Sequence, residues 1–318
     1  MNNNLPSVPN IARAAWGIVK AIGPFLISQT EKGSEAYAQH QMRLAHVEVC
    51  KELMLGEIHT LNEVRRKLIE KYYDAPEDER FRIKRDLQDI EKDTRRLGVY
   101  QKALEYLPAE DEASTDNNAT GTISPSWMDR FNEVAQLQNE AWRQELLSKA
   151  LAREAQNPGS ISPRALWFIG TVDDQVFHAF ASLIDVSSII LGRYMIPNHT
   201  GYYGRVLPDC VLGEDFELGN ITFLLNDLGV IGDLLTSQRK IPAASMFLMS
   251  YGQQHYTLKA KQEMRVSGIV LTPLGEIIAS LYEPKPNELG AEIFDAWVKS
   301  IRPDTAEVLQ LRQAGQNN

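Results

Sequence analysis

Cysteine is nearly missing from this chain: 318 residues hold only Cys50 and Cys210, far apart and without pairing or metal-ligand spacing. That excludes a disulfide framework and a cysteine-based metal site, and it fits two buried thiols in a reducing compartment. Positive charge is the second shortfall. The 33 Lys and Arg stand against 42 Asp and Glu, a net charge of -9. This argues against broad nonspecific affinity for nucleic acid and leaves room only for a local basic patch. No apolar run reaches the ~20 residues that a membrane-crossing helix needs. The first ten residues carry neither Lys nor Arg, so a secretory signal is not expected. What remains is an ordinary composition, 43% hydrophobic and 24% charged, in a chain long enough for two folded units.

The signatures of common chemistry are missing as well. No G-x-x-x-x-G-K-S/T, G-x-G-x-x-G or G-x-S-x-G occurs, which excludes the usual phosphate-cradling loops and a nucleophile elbow. None of the histidines (His40, His46, His59, His178, His199, His255) belongs to H-E-x-x-H or follows a Glu by three residues. The zincin and di-iron spacings therefore fail. His40, His46 and His59 are expected to face solvent or to be satisfied in the core. A nuclease site of the PD…ExK kind would have to unite Pro208-Asp209 with Glu283-Pro284-Lys285, yet these lie far apart and the second falls in a proline-interrupted loop. Nothing near Cys210 in sequence lowers its thiol pKa, so it reads as a structural cysteine. No cofactor and no metal are expected, and no catalytic residue is assigned.

The best-punctuated stretch runs from Leu137 to Phe180. Phe131, Val134, Leu137, Leu146, Leu147, Ala150 and Leu151 recur mostly at three- and four-residue steps, the mark of one buried helical face. Ser126 with Asp129 predicts the start of that helix, and Asn157-Pro158-Gly159 ends it. Ser162 and Pro163 are good N-cap and first-turn residues for the next helix. Gly170 closes that one, and Thr171 with Asp174 caps a third. Two short connections between three helices predict a helical core.

The runs Leu151-Ala152-Arg153-Glu154 and Asn157-Pro158-Gly159-Ser160-Ile161-Ser162-Pro163-Arg164-Ala165-Leu166 resemble the signature of the bacterial domain-of-unknown-function family 2806, with a match over roughly residues 125–300. Members of that family typically read Trp-Ala-x-Leu-Leu-Ala-x-Glu, then Pro-Gly, then Ser-x-Arg-Thr-Leu. A later Leu-Thr-x-x-Gly is matched by Leu271-Thr272-Pro273-Leu274-Gly275. The chain departs from the pattern where the family tryptophan falls on Leu147, with Trp142 more than a turn earlier, and where the usual threonine is Ala165. The resemblance implies fold and lineage; it carries no chemistry. Turn geometry and capping account for Pro158, Gly159 and Ser162. Arg164 is the residue they do not require, and it would clamp an anion or tie its helix to a neighbour's C-terminal carbonyls.

Ahead of this core, Ile11–Ile27 is broadly apolar around Trp16, Ile18, Phe25 and Leu26, and its only charges are Arg13 and Lys20. Three readings stay open for it: core packing, a partner-binding arm, or a helix lying on a membrane surface, with Trp16, Lys20 and Phe25 as contacts. Residues from about 30 to 73 and from Glu77 to about 107 predict two long helices forming a hairpin. The first has a stripe through Leu44, Val47, Cys50, Leu53, Ile58, Val64 and Leu68, and the second has Phe81, Ile83, Leu87, Ile90, Leu97, Tyr100 and Leu104. Pro108 to Ser124 is acidic, then polar, and predicts a linker. Beyond the core, residues 246–251, 255–261 and 265–271 predict strands. With the helix over 218–228 and the helix after Thr272 they suggest a winged-helix-like unit, and the tail from Asp304 is expected to be weakly structured.

The expected fold is therefore α+β, mostly α. It comprises a helical arm and hairpin over 1–107, a linker over 108–124, a helical core with a winged-helix-like end over 125–303, and a flexible tail over 304–318. The leading functional expectation is a cytoplasmic, non-enzymatic interaction or regulatory protein, associated with stress response or phage defence and either free or peripheral to the inner membrane. Protein partners or self-association would occupy it. Two alternatives stay open. One is a DNA-binding regulator using Lys259, Lys261 and Arg265, although the helix over 218–228 carries no Lys or Arg to read a groove. The other is an enzyme assembled from scattered residues such as Arg164, His199 and Cys210. A ligand site would be sought at Arg164 and in the loop of His199, Tyr202, Tyr203 and Arg205.

Overall fold

The computed structural model describes residues 18, 47–107, 123–198, 202, 204–208, 217–232 and 238–310. The chain divides into two compact units, residues 1–171 and 172–318, and it is a mixed α/β protein whose strands form an antiparallel sheet. Among the described residues no helix is long and apolar enough to cross a membrane.

The first unit is helical. α1 (Val47–Asp74) and α2 (Glu77–Glu105) are joined through Ala75-Pro76 and pack along one another. Ion pairs Lys71–Glu79 (2.6 Å) near the connection and Arg65–Glu91 (3.1 Å) further away set them antiparallel. Their burial is uneven. Met54 and Leu61 of α1 and the C-terminal half of α2 are buried, whereas Val64 is exposed and Phe81, expected inside, is 74% exposed. The reason is that α2's second half (Leu97, Tyr100, Ala103, Leu104) packs on α4 (Ala141–Gln156), while among the described residues the far end of the pair has only itself for cover. Tyr100 stacks on Phe131, which stacks on Trp127, at centroid distances of 6.1 and 5.2 Å. The boundary expected in the polar segment 108–124 is not where the two units divide. The first unit runs from one side of that segment to the other, and the division falls at Thr171. Residues 108–122 themselves lie outside the described residues. So does nearly all of the arm, including Trp16, Lys20 and Phe25. Ile18, the one described residue there, is helical and fully buried.

The helix read through Phe131 and Leu137 is two helices, α3 (Pro125–Ala135) and α4, separated by a turn at Gln136-Leu137 and the short stretch to Glu140. Ser124, not Ser126, is the N-cap of α3, with Pro125 in its first turn. Leu137, assigned to the buried stripe, is exposed because the chain has already left the helix. α5 (Pro163–Thr171) completes the unit by packing on α3 and α4.

The second unit starts with α6 (Asp174–Asp185), capped at Asp173. It continues through β1 (Ser188–Ile190), β2 (Arg193–Pro197), α7 (Leu218–Asp227), β3 (Gln238–Ile241), β4 (Met246–Tyr251), β5 (Gln254–Ala260), β6 (Met264–Val270), α8 (Pro273–Ala279), α9 (Glu288–Ser300) and β7 (Ala306–Gln310). The sheet order is β3-β6-β2-β1-β4-β5-β7, every pair antiparallel. β1 turns into β2 through Leu191 and Gly192, both at positive φ, the twist that a two-residue hairpin requires. β5 and β6 have three strands between them, a span of roughly 19 Å in a flat sheet. The chain from Ala260 to Met264 covers at most about 15 Å. The sheet must therefore curl, and Ile190, Met195, Ile241, Met249, Leu258 and Val266 fill its inside with Phe294 and Trp297 of α9.

Two expectations change here. The helix-and-hairpin unit proves to be part of this larger curled sheet, with β4 and β5 as two of its strands. The expected tail from Asp304 holds β7, which pairs with β5 from Ala260↔Ala306 to Tyr256↔Gln310. Ala306 is buried and Val308 packs on the core, so a segment too short to register in the sequence is held by a ready-made neighbour.

Candidate interaction surface

The two motifs that stood out in the sequence are structural devices. Glu154, 2% exposed, ends α4 with its carboxylate turned back on the following loop, where it accepts hydrogen bonds from Gly159 N (2.7 Å) and Ile161 N (2.9 Å). Gly159 sits at φ +87°, open to glycine and costly for other residues. Trp127 Nε1 donates to Ile161 O (2.8 Å), and Ser162 Oγ accepts from Ala165 N (3.2 Å) to start α5. The second motif works likewise. Thr272 Oγ1 accepts from Gly275 N (3.2 Å) and donates to Gly229 O (2.7 Å), while a Cβ on Gly275 would run into the Val230 carbonyl. Glutamate, glycine, serine and threonine are thus needed where backbone donors or close backbone approach need them.

Arg164 is exposed on α5, one turn from the exposed Trp167. The tie expected of it, to a neighbour's C-terminal carbonyl, is made by Arg143 instead. That buried guanidinium donates to Ile169 O (2.6 Å) at the end of α5 and pairs with Glu140. His199, Tyr203 and Cys210 lie outside the described residues. Tyr202 and Arg205 come together on α9: the Tyr202 hydroxyl donates to Glu292 O (3.4 Å) and Arg205 Nη2 lies 3.5 Å from Glu292 Oε2. This is a latch between loop and helix, exposed on both sides. Of the nuclease pattern, Asp209 lies outside the described residues. The Glu283–Lys285 loop is pinned by Asp185, whose carboxylate accepts from Lys285 N (2.6 Å) and the Tyr282 hydroxyl (3.0 Å). Burial, reinforced by the Asp185 charge, pushes the Tyr282 phenol upward, so it stays a donor. Among the described residues no group of three or more His, Cys, Asp or Glu is placed to hold a metal ion.

Lys259, Lys261 and Arg265 gather around the β5–β6 turn, but acids are set among them. Lys259 stands across from Glu307, and Glu263 pairs with Lys240 at 2.9 Å. Lys261 Nζ donates to Pro303 O (2.7 Å). The local field is mixed in sign.

The feature the sequence did not announce is the outward face of β1, β4, β5 and β7. Strand alternation turns Phe247, Met249 and Tyr251 inward, so Met246 and Leu248 point out, 69% and 64% exposed. The register sets Leu248 across from Thr257, and Thr257 across from Leu309, itself exposed; Ile189, opposite Ser250, lies diagonal to Leu248. Four large apolar side chains thus share one face, on β1, β4 and β7, with Thr257 and Lys259 of β5 between those of β4 and β7. Large exposed apolar side chains gathered on one face mark an interaction site better than single scattered ones do. The signal available in the sequence was the run Met246-Phe247-Leu248-Met249, which lacks the polar alternation of a strand with one wet face.

Comparison with known families joins the two motifs to a lineage. A family model described as a protein of unknown function, DUF2806, matches residues 89–291. The chain belongs to this family. The DUF2806 match begins inside α2, upstream of where the motifs alone placed it, in keeping with the packing of α2 on α4. It includes Ile189, Met246 and Leu248 and stops short of β7. No curated protein and no solved structure matches the chain.

Proposed function

We propose that this chain is a non-enzymatic interaction protein of the cytoplasm that binds another protein through the outward face of its curled sheet. The observation that carries the reading is the exposed set Ile189, Met246, Leu248 and Leu309 on one face of the sheet. Such a set favours a partner with an apolar surface of its own, and the Lys259–Glu307 pair beside it would set orientation more than affinity. The arm over residues 11–27 and the exposed Trp167 are secondary contacts in this reading. A photo-crosslinking residue at Leu248 or Met246, introduced in the native cell, should capture a discrete protein adduct that the same residue at the exposed Glu70 of α1 does not. Equal labelling at both positions would remove the basis of the proposal.

A second reading takes α7 and the β4–β5 hairpin as a winged-helix-like module touching DNA, supported by the gathering of Lys259, Lys261 and Arg265 at one turn. It requires DNA binding that falls steeply with salt, with a slope reduced in Lys259→Ala/Lys261→Ala. Binding with an unchanged slope in that double variant would end it.

A further inference from the structure

We infer that β7 is a self-complementary edge through which two copies of this chain pair antiparallel, continuing the sheet from one molecule into the next. The inference rests on the interaction reading and names a second copy of the chain as occupant of the edge. The backbone geometry leads to it directly. Lys261 N donates to Thr305 O, and the pairing continues from Ala260↔Ala306 to Tyr256↔Gln310. In an antiparallel ladder, residues alternate between bonding one neighbour and the other. Glu307 and Leu309 therefore spend their backbone groups on β5, while Val308 and Gln310 turn theirs away from it. Ala306 O also faces outward, and Ala306 N is taken by Arg302 O at 3.1 Å. Among the described residues β7 is the last strand in the order and pairs with β5 alone.

The two edges of the sheet differ in how they are guarded. β3, at the other end, carries Arg239 and Lys240, the charged residues that discourage edge pairing. β7 reads Ala-Glu-Val-Leu-Gln, with no Lys, Arg or Pro. A two-fold axis through Val308 gives it a matching partner. Val308 bonds Val308 of the second copy in both directions, and each Gln310 N reaches the other copy's Ala306 O, four backbone bonds in all. Glu307 then stands across from the second copy's Leu309 on the outward face, so no like charges oppose. The exposed face that carries Leu248 and Leu309 meets its own continuation.

The test is sedimentation of the full chain across a broad concentration range, alongside three variants. Val308→Pro removes an outward N–H and no β5–β7 bond, so the ladder to β5 stays whole, melting falls only by the lost Val308 packing, and the dimer dissociation constant rises at least about tenfold. Leu309→Glu sets like charges opposite Glu307 of the second copy, and Leu309→Lys sets opposite charges there. Both are equally polar on the monomer surface, so any loss through exposure alone falls on both. Pairing at this edge predicts a weakened dimer for Glu and a retained or tightened one for Lys, whatever becomes of the proline variant. A chain that stays monomeric throughout, or a dimer weakened equally by Glu and Lys, overturns the inference. A Leu248 adduct with a different protein in a monomeric chain would remove this pairing and leave the interaction reading standing. A dimer with that charge dependence and no such adduct would do the reverse.

Discussion

Removing the Glu154 carboxylate tests whether the family motif is a structural clamp. In Glu154→Ala the amides of Gly159 and Ile161 lose their acceptor at once. Ile161 is 1% exposed and its N–H has no route to water, whereas Gly159 is exposed and recovers part of its loss from solvent. A buried unsatisfied donor costs about 1–3 kcal/mol. Adding the smaller term for Gly159 puts the variant at about 2–4 kcal/mol of destabilisation. For a unit of this size each kcal/mol shifts Tm by about 2–4 °C, so the first unit should melt roughly 5–12 °C lower. Glu154→Gln keeps one acceptor oxygen and should cost about half as much. Differential scanning calorimetry of the full chain reads the shift, and amide exchange at Gly159 and Ile161 localises it. An Ala variant melting within about 1 °C of wild type would refute the clamp, as would Gln proving as costly as Ala.

Gly275→Ala should be the harsher lesion of the second motif. Its Cβ meets the backbone carbonyl of Val230, which cannot swing aside, so a loss of about 3 kcal/mol or more in urea unfolding is expected; a loss under about 1 kcal/mol would show that the α8 contact is loose. Glu145 gives a pH-dependent outcome. Burial pushes its carboxyl upward, but hydrogen bonds from Lys102, Tyr106 and Lys149, with the Lys102 charge, outweigh this and take it down to about 2. A carboxyl depressed in the folded state contributes stability above its unfolded pKa of about 4.3 and loses it as pH falls through the folded value. The advantage of wild type over Glu145→Gln should therefore shrink between about pH 4.5 and 2, by roughly 1 kcal/mol after solvent screening. A pH-independent difference would contradict it.

Local chemistry was legible wherever a residue acts on its own neighbourhood. Asn157-Pro158-Gly159, Ser162, Pro163 and Thr272 mark turns and caps because their effect depends on backbone angles and donors a few positions away. The strands at 246–251, 254–260 and 264–270 were readable within a residue or so for the same reason. Arg164 and Arg143 show the limit. Both are helical arginines near the motif, and nothing in their sequence context says that Arg143 reaches Ile169 O while Arg164 stays exposed. Leu137 and Phe81 were assigned to buried stripes by periodicity. Periodicity tells which residues share a face, and only the packing of other elements decides whether that face is covered.

The sequence by itself determined an acidic chain with two thiols, no recognisable catalytic motif, helices with defined ends and a membership carried by two short motifs. Those properties are sums over composition or contacts within one or two turns. The tertiary structure alone decided that the sheet curls, because three strands come between β5 and β6. It also decided that residues 306–310 form an edge strand, and that Met246, Leu248, Ile189 and Leu309 share one exposed face. Each of these depends on pairings between segments far apart in the chain, and long-range register is what local pattern does not encode.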